Sequence, residues 1–209
     1  MGNGGMVEKP VRLVVGTEAK PDNIEALSDD DLMLLVSRQP TAAFSELLRR
    51  HQPIILGFSS RFVRNACLAR EITQEVFLTV WAERDRYQPR GRFRSYLLSI
   101  AVNRCREALR KQKSIQTKAE NFSQLQSVLD NDQQLPVDRI IDQEQTQRVL
   151  GALDRLKEPM RLAILLRYGH ELSYDEIAQV MKKPQGTVKA LVSRGIQKLH
   201  ALLYSEQGP

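Results

Sequence analysis

The segment from Leu172 to Leu199, LSYDEIAQVMKKPQGTVKALVSRGIQKL, constrains the fold most, because it has the pattern of two short helices joined by a tight turn. Ser173 can cap the first helix while Glu176, three residues on, reaches back to it, which makes a capping box. Ile177, Val180 and Met181 then recur at helical spacing and supply one buried face. Lys182 and Lys183 fill the turn, and Pro184 has the fixed dihedral suited to a first helical position. In the second helix Val188, Leu191, Val192 and Leu199 turn inward, leaving Gln185, Thr187, Lys189, Ser193, Arg194 and Gln197 outside. A basic, hydrogen-bonding face on a helix pair of this size suits the major groove of DNA. An ordinary helical hairpin with solvated lysines is the alternative for this segment taken alone.

Charge placement extends the reading beyond this segment. The chain has 209 residues and a formal net charge of +6, with a sequence pI of about 9.5, which suits a polyanionic partner. Residues 84–113 hold ten Lys+Arg against Asp85 and Glu107, a net of +8. Residues 145–209 hold ten against six acids, a net of +4, and residues 114–144 hold two against six, a net of −4. Two basic stretches separated by an acidic one suggest two modules touching the same polyanion. With 42% hydrophobic residues and a mean hydropathy of −0.38, the composition is that of a soluble globular protein, and no membrane insertion is expected. Residues 1–26 lack the pattern of a secretion signal. Cys67 and Cys105 are the two cysteines, without a paired CxxC, so neither a zinc site nor a disulfide framework is expected.

Along the chain the ordered stretches read as helices, and no convincing strand appears. Residues 1–26, with three glycines in the first five positions, read as a disordered tail. Ser28-Asp29-Asp30-Asp31 is a capping start for a short helix carrying Leu32, Leu35 and Val36. Thr41 caps a longer helix to about Val63, which Pro53 should kink or interrupt. Further helices are predicted over 68–81, 94–111, 145–156 and 159–168. Residues 114–144 have the composition of a mobile linker. The expected fold is all-α: two small helical bundles, 27–113 and 145–205, joined by a flexible linker.

Two further faces carry chemistry. In the third helix Ile72, Val76 and Val80 point into the bundle, while Glu71, Gln74, Glu75 and Leu78 share another face. A leucine framed by acids is a docking stripe for a basic partner, or a solvated face with one stray leucine. Before the fourth helix, Tyr87, Phe93 and Tyr96 lie among Arg84, Arg86, Arg90, Arg92 and Arg94. Arginines hold phosphates, and aromatic faces stack unpaired bases at ~1–3 kcal/mol each. Gly91 lets the loop backbone approach a nucleotide closely, whereas Phe93 could instead plug the bundle. Leu97, Ala101 and Cys105 form the buried stripe of the helix, leaving Asn103, Arg106 and Arg110 nearer its surface.

TQEVFLTVW (Thr73–Trp81) and QPRGRFRSYLLSIAVNRCREALRK (Gln88–Lys111) together resemble region 2 of the extracytoplasmic-function (ECF) group of bacterial RNA polymerase sigma factors. LRYGHELSYDEIAQVMKKPQGTVKALVSR (Leu166–Arg194) resembles their region 4, in the family's order and with its variable linker between. The resemblance implies that Glu71, Gln74 and Glu75, with Leu78, bind the clamp helices of the largest subunit of core RNA polymerase. It implies a −10 element loop at Arg90, Gly91, Arg92, Phe93, Arg94 and Ser95, with Tyr96, Asn103 and Arg104 on the following helix. Such a site captures flipped non-template bases, so that opening the duplex amounts to trapping melted strand. The −35 element would meet Lys183, Gln185, Thr187, Lys189, Ser193, Arg194 and Gln197.

The implied protein is cytoplasmic and non-enzymatic, with neither cofactor nor metal. Its partners are core polymerase and promoter DNA, with an anti-sigma factor as a further candidate. The chain departs from the family pattern at Arg70, where an acid is usual, and at Lys182 and Lys183, which replace a common Gly-Ile turn. Ala190, Leu191, Gly195 and Ile196 stand where Ser, Arg, Ala and Arg are frequent, and Gly195 is expected to cost ~1 kcal/mol of helix stability. A free-standing helix-turn-helix regulator is the competing reading. An enzyme is disfavoured by the lack of a Gly-rich phosphate loop, a metal cluster and a nucleophile–base pair.

Overall fold

The computed structural model describes residues 21–120 and 143–205, which form eight α-helices and contain no strand. Helices α1 (Asp29–Val36), α2 (Pro40–Val63), α3 (Ala66–Ala82) and α4 (Phe93–Glu120) make the first bundle. Helices α5 (Gln143–Asp154), α6 (Glu158–Ile164), α7 (Tyr174–Met181) and α8 (Gln185–Ser205) make the second, with α8 touching the other three. The core of the first is Leu32, Leu47, Ile55, Phe58, Phe62, Val76, Leu97 and Val102, all essentially inaccessible.

Local chemistry fixes most helix boundaries. The Ser28 hydroxyl accepts from the Asp31 N–H at 3.2 Å and starts α1. Contrary to the sequence reading, Pro40 rather than Thr41 opens α2, with Gln39 as an N-cap that makes no side-chain bond. Its locked φ already suits the first turn. Pro53 does not interrupt the helix, because Leu47, Ile55 and Phe58 on either side of it are buried and offset its cost of ~3 kcal/mol. Arg64, left-handed with a φ of 56°, ends α2, and the Asn65 side chain accepts from the Leu68 N–H at 2.9 Å to begin α3. Helix α4 continues past Lys111 into the expected linker, over a Gln- and Lys-rich stretch with neither Gly nor Pro. The rest of that linker, 121–142, lies outside the described residues.

Part of the expected disordered tail is ordered, and residues 1–20 of it lie outside the described residues. Pro21–Ala26 forms a 3-10 turn, and Arg50 donates to the carbonyls of Glu25 at 2.7 Å and Leu27 at 2.8 Å. Ile24 and Leu27 pack against the core beside it.

The two bundles share a seam. Helix α7 packs on α4, and the buried residues run as one cluster from Leu32 to Val192. His170, 6% exposed, meets the Phe58 ring edge-on at 5.5 Å. The Arg161 guanidinium lies 5.4 Å from the Phe62 ring centre and donates to the Phe62 carbonyl at 3.3 Å. Arg106 pairs with Glu158 at 2.9 Å and Arg64 with Asp154 at 3.4 Å across the same seam.

Candidate nucleic-acid interface

The loop between α3 and α4 borders a cavity of about 630 Å³. Arg90 and Arg92 stand exposed at its rim, Tyr87, Ser95 and Tyr96 line its floor, and Gln179 and Val180 of α7 close one side. Gly91 has a φ of 66°, and no heavy atom lies within 4 Å of where a Cβ would sit. Backbone conformation, not crowding, therefore demands glycine here. The loop is tied to α1: Asp30 accepts from the Tyr87 hydroxyl and from the Gly91 N–H, each at 2.5 Å. The Tyr96 hydroxyl donates to Glu83 at 3.1 Å. Burial and then these carboxylate bonds push both phenols above their usual pKa, so both remain neutral donors across the physiological range.

Not every expected −10 residue faces this cavity. Phe93 is 3% exposed and packs between His51, at 5.2 Å, and Tyr87, at 5.7 Å. It plugs the bundle in this structure, as one of the two sequence readings had it. Ser95 is buried and donates back to the Arg92 carbonyl at 2.9 Å. Arg94 lines a second hollow with His170 and Leu172, its Nε buried without a hydrogen-bond partner. Asn103 is exposed two turns further along α4. Arg104 turns to α3, donating to Thr79 Oγ1 at 3.1 Å and lying 3.8 Å from Glu75. Arg90, Arg92, Ser95 and Tyr96 thus line the first cavity, while Gly91, Phe93 and Arg94 border the second hollow and Arg104 turns to α3.

On α3, Glu71, Gln74, Glu75 and Leu78 are all exposed on one face, and Leu78 is 66% accessible. Trp81, which the sequence reading used only as a helix end, extends this stripe by one step. Its ring packs on Phe44 at 5.0 Å and carries the Arg84 guanidinium at 4.8 Å. The spacing 71, 74, 75, 78, 81 was the signal that could have found it.

The capping box of α7 is present in full, with the Ser173 N–H donating to Glu176 at 2.9 Å. Lys182 ends α7 in the left-handed region with a φ of 53°. Pro184 precedes α8 as its cap, its carbonyl accepting from the Val188 N–H at 3.1 Å, rather than occupying the first helical position. Thr187, Lys189, Ser193, Arg194 and Gln197 are exposed on α8. Lys183 is half-buried, and Gln185 is held to Asp175 at 2.9 Å. Gly195 is buried, and a Cβ there would stand 2.7 Å from Ile164 Cδ1. This glycine lets α8 lie against α6, a role that helix propensity alone could not reveal.

An all-helical chain that pairs a basic-aromatic loop with a separate helix-turn-helix has the build of a transcription initiation factor. Family models agree: sigma-70 region 2 matches residues 47–115 and sigma-70 region 4 matches residues 146–199. The chain is 34% identical over 163 residues to the RNA polymerase sigma factor CarQ of Myxococcus xanthus, covering 77% of this chain and 89% of that protein. It is 30% identical over 177 residues to the ECF RNA polymerase sigma-E factor of Escherichia coli K12, covering 81% and 91%. The sigma factor RpoE of Bartonella quintana, solved with the anti-sigma factor NepR, shares the fold with a TM-score of 0.63 at 23% identity, over 77% of this chain and 96% of that one. The protein belongs to the ECF group of the sigma-70 family: it is an RNA polymerase sigma factor that recognises promoters and is not an enzyme.

Proposed function

We propose that this sigma factor divides its work among three faces. Glu71, Gln74, Glu75 and Leu78 on α3, extended by Trp81, dock on the largest subunits of core RNA polymerase. Arg90, Gly91, Arg92, Ser95 and Tyr96 hold the non-template strand of the −10 element, with Asn103 further along the strand path and Phe93, Arg94 and Arg104 supporting the loop and its helix. Lys189, Ser193, Arg194 and Gln197, with Thr187, read the −35 element, while Lys183 touches phosphates and Gln185 sets the start of α8. Residues 27–113 and 145–205 act as the two modules, joined by a linker that threads toward the polymerase cleft. The protein works in the cytoplasm, where polymerase and chromosome are, and an anti-sigma factor is its candidate restraining partner.

The observation that carries this reading is the cavity beside Gly91: exposed arginines at its rim for phosphates, phenol rings in its wall for bases. Run-off transcription with purified core polymerase on a promoter library tests it. Specific transcripts that depend on the added protein are expected. Sequence-specific duplex binding without polymerase, and without transcripts, would favour a free-standing regulator instead.

A further inference from the structure

Two neighbouring carboxylates at the start of α1 hold both ends of the loop that carries Arg90 and Arg92. Asp30 accepts from the Tyr87 hydroxyl and the Gly91 N–H. Asp29 bonds His51 Nε2 at 2.8 Å, and the His51 ring braces Phe93, the first residue of α4. Asp29 is itself fixed by Arg50 at 3.1 Å, and Arg50 by the buried Glu46 at 2.7 Å. Hydrogen bonds from Arg49 and Arg50 hold the Glu46 carboxyl down at about 2, so this anchor stays charged at any working pH.

The loop has little else to shape it. Among the described residues, no backbone–backbone hydrogen bond involves 88–91, and nothing packs where a Gly91 side chain would be. A turn with a φ of 66° and exposed arginines on either side would sample many shapes if left alone. Helix α1 lies before residues 47–115, the span that matches sigma-70 region 2, so the clamp comes from outside it.

We infer that Asp30 is a positioning residue for −10 recognition: its carboxylate sets the Gly91 turn so that Arg90 and Arg92 meet the melted strand together. This rests on the assignment of that strand to the loop. Charge alone predicts the opposite sign, since a carboxylate near a polyanion repels it and its removal should tighten binding. Positioning makes its removal weaken binding. Asp31, an exposed carboxylate of the same first turn bonded to Ser28, separates the loop clamp from any general effect on α1.

The test uses the full chain with core polymerase and a fluorescent single-stranded oligonucleotide from the −10 region of a promoter the holoenzyme transcribes. Hydrogen exchange of the Gly91 amide, followed by NMR on the full chain, reports the clamp directly. Asp30→Ala should speed Gly91 exchange and weaken strand binding by about tenfold each, as expected for losing a charge-assisted bond, with core affinity unchanged. Asp30→Asn, which keeps the shape and one acceptor, should recover much of both losses, and Asp31→Ala should change neither by more than about twofold. Unchanged Gly91 exchange in Asp30→Ala would overturn the clamp. Faster exchange with equal or tighter strand binding would overturn its role in recognition. If Arg92→Ala also leaves strand binding untouched, it is the strand assignment that has failed, and the inference falls with it.

Discussion

Arg92 and Phe93 are adjacent in sequence and point in opposite directions, so their loss should fail in different ways. Phe93 is buried among His51, Tyr87 and Tyr96, and truncating a buried aromatic costs roughly 3–5 kcal/mol. Phe93→Ala should therefore lower the thermal midpoint substantially, whereas Arg92→Ala should leave it unchanged and impair open-complex formation, read by permanganate reactivity. Equal melting curves for the two variants would contradict the buried placement of Phe93. Gly195 makes a second case where packing reverses a propensity argument. Alanine in place of glycine in a helix interior normally gains ~1 kcal/mol. Here the added methyl group would stand 2.7 Å from Ile164 Cδ1 and 3.4 Å from Met160 Cβ, inside a packed cluster, and overpacking costs ~1–3 kcal/mol. Gly195→Ala should be net destabilising, and Ile164→Val, which removes the obstructing methyl group, should relieve part of that cost in the double variant. Additive effects in a double-mutant cycle would show that the two helices do not press together at this point.

Helix α3 shows how far a single element can be read from its spacing. Ile72, Val76 and Val80 are buried and Glu71, Gln74, Glu75 and Leu78 are exposed, the division that the three- and four-residue intervals anticipate. Because Leu78 is 66% exposed and its face is already polar, Leu78→Lys should leave the melting curve within about 0.5 kcal/mol of the parent and abolish co-purification with core polymerase. Retained co-purification would remove this face from the docking assignment. The capping box of α7 and the α1 cap were equally legible, since both depend on residues three apart. What the sequence hid depends on contacts between distant segments. The continuity of α2 through Pro53 comes from buried neighbours on both sides, and the direction of Arg104 is set by Thr79 and Glu75 on another helix. The tie from Asp30 to Gly91 spans 61 positions, and no periodicity encodes it. Sequence therefore placed the faces of the site, and long-range contacts decided which side chains each face presents.

In the whole molecule, the seam between the bundles sets a condition on promoter binding. Elements centred about 25 base pairs apart lie roughly 85 Å apart on B-form DNA. Helices in packing contact are about 8–10 Å apart, and α7, the neighbour of α8, packs on α4 and walls the cavity proposed for the −10 strand. If the two elements bind where we propose, one copy cannot hold both in this arrangement, and the proposed assignment requires the seam to part when the promoter is engaged. His170 gives that step a pH dependence. Its ring is buried against Phe58, and desolvation, followed by the charges of Arg94 and Arg61, holds its pKa down at about 4, against 6.5 for a free imidazole. The closed form therefore keeps His170 neutral, while a separated form allows it to protonate near its ordinary value. Closure is unaffected above pH 6.5 and weakens as pH falls from there toward 4, by at most about 3 kcal/mol at ~1.4 kcal/mol per pH unit. Small-angle scattering of the free protein should show the radius of gyration rising between pH 7.5 and 5. His170→Phe, which keeps a ring in the seam and removes the titration, should stay compact over the same range. A pH-independent radius in the parent, or the same expansion in His170→Phe, would show that the seam is not gated by this histidine. Arg106→Ala, which removes one partly exposed pair with Glu158 worth at most ~1 kcal/mol, should move the onset of that expansion to slightly higher pH while leaving each bundle's helical content intact.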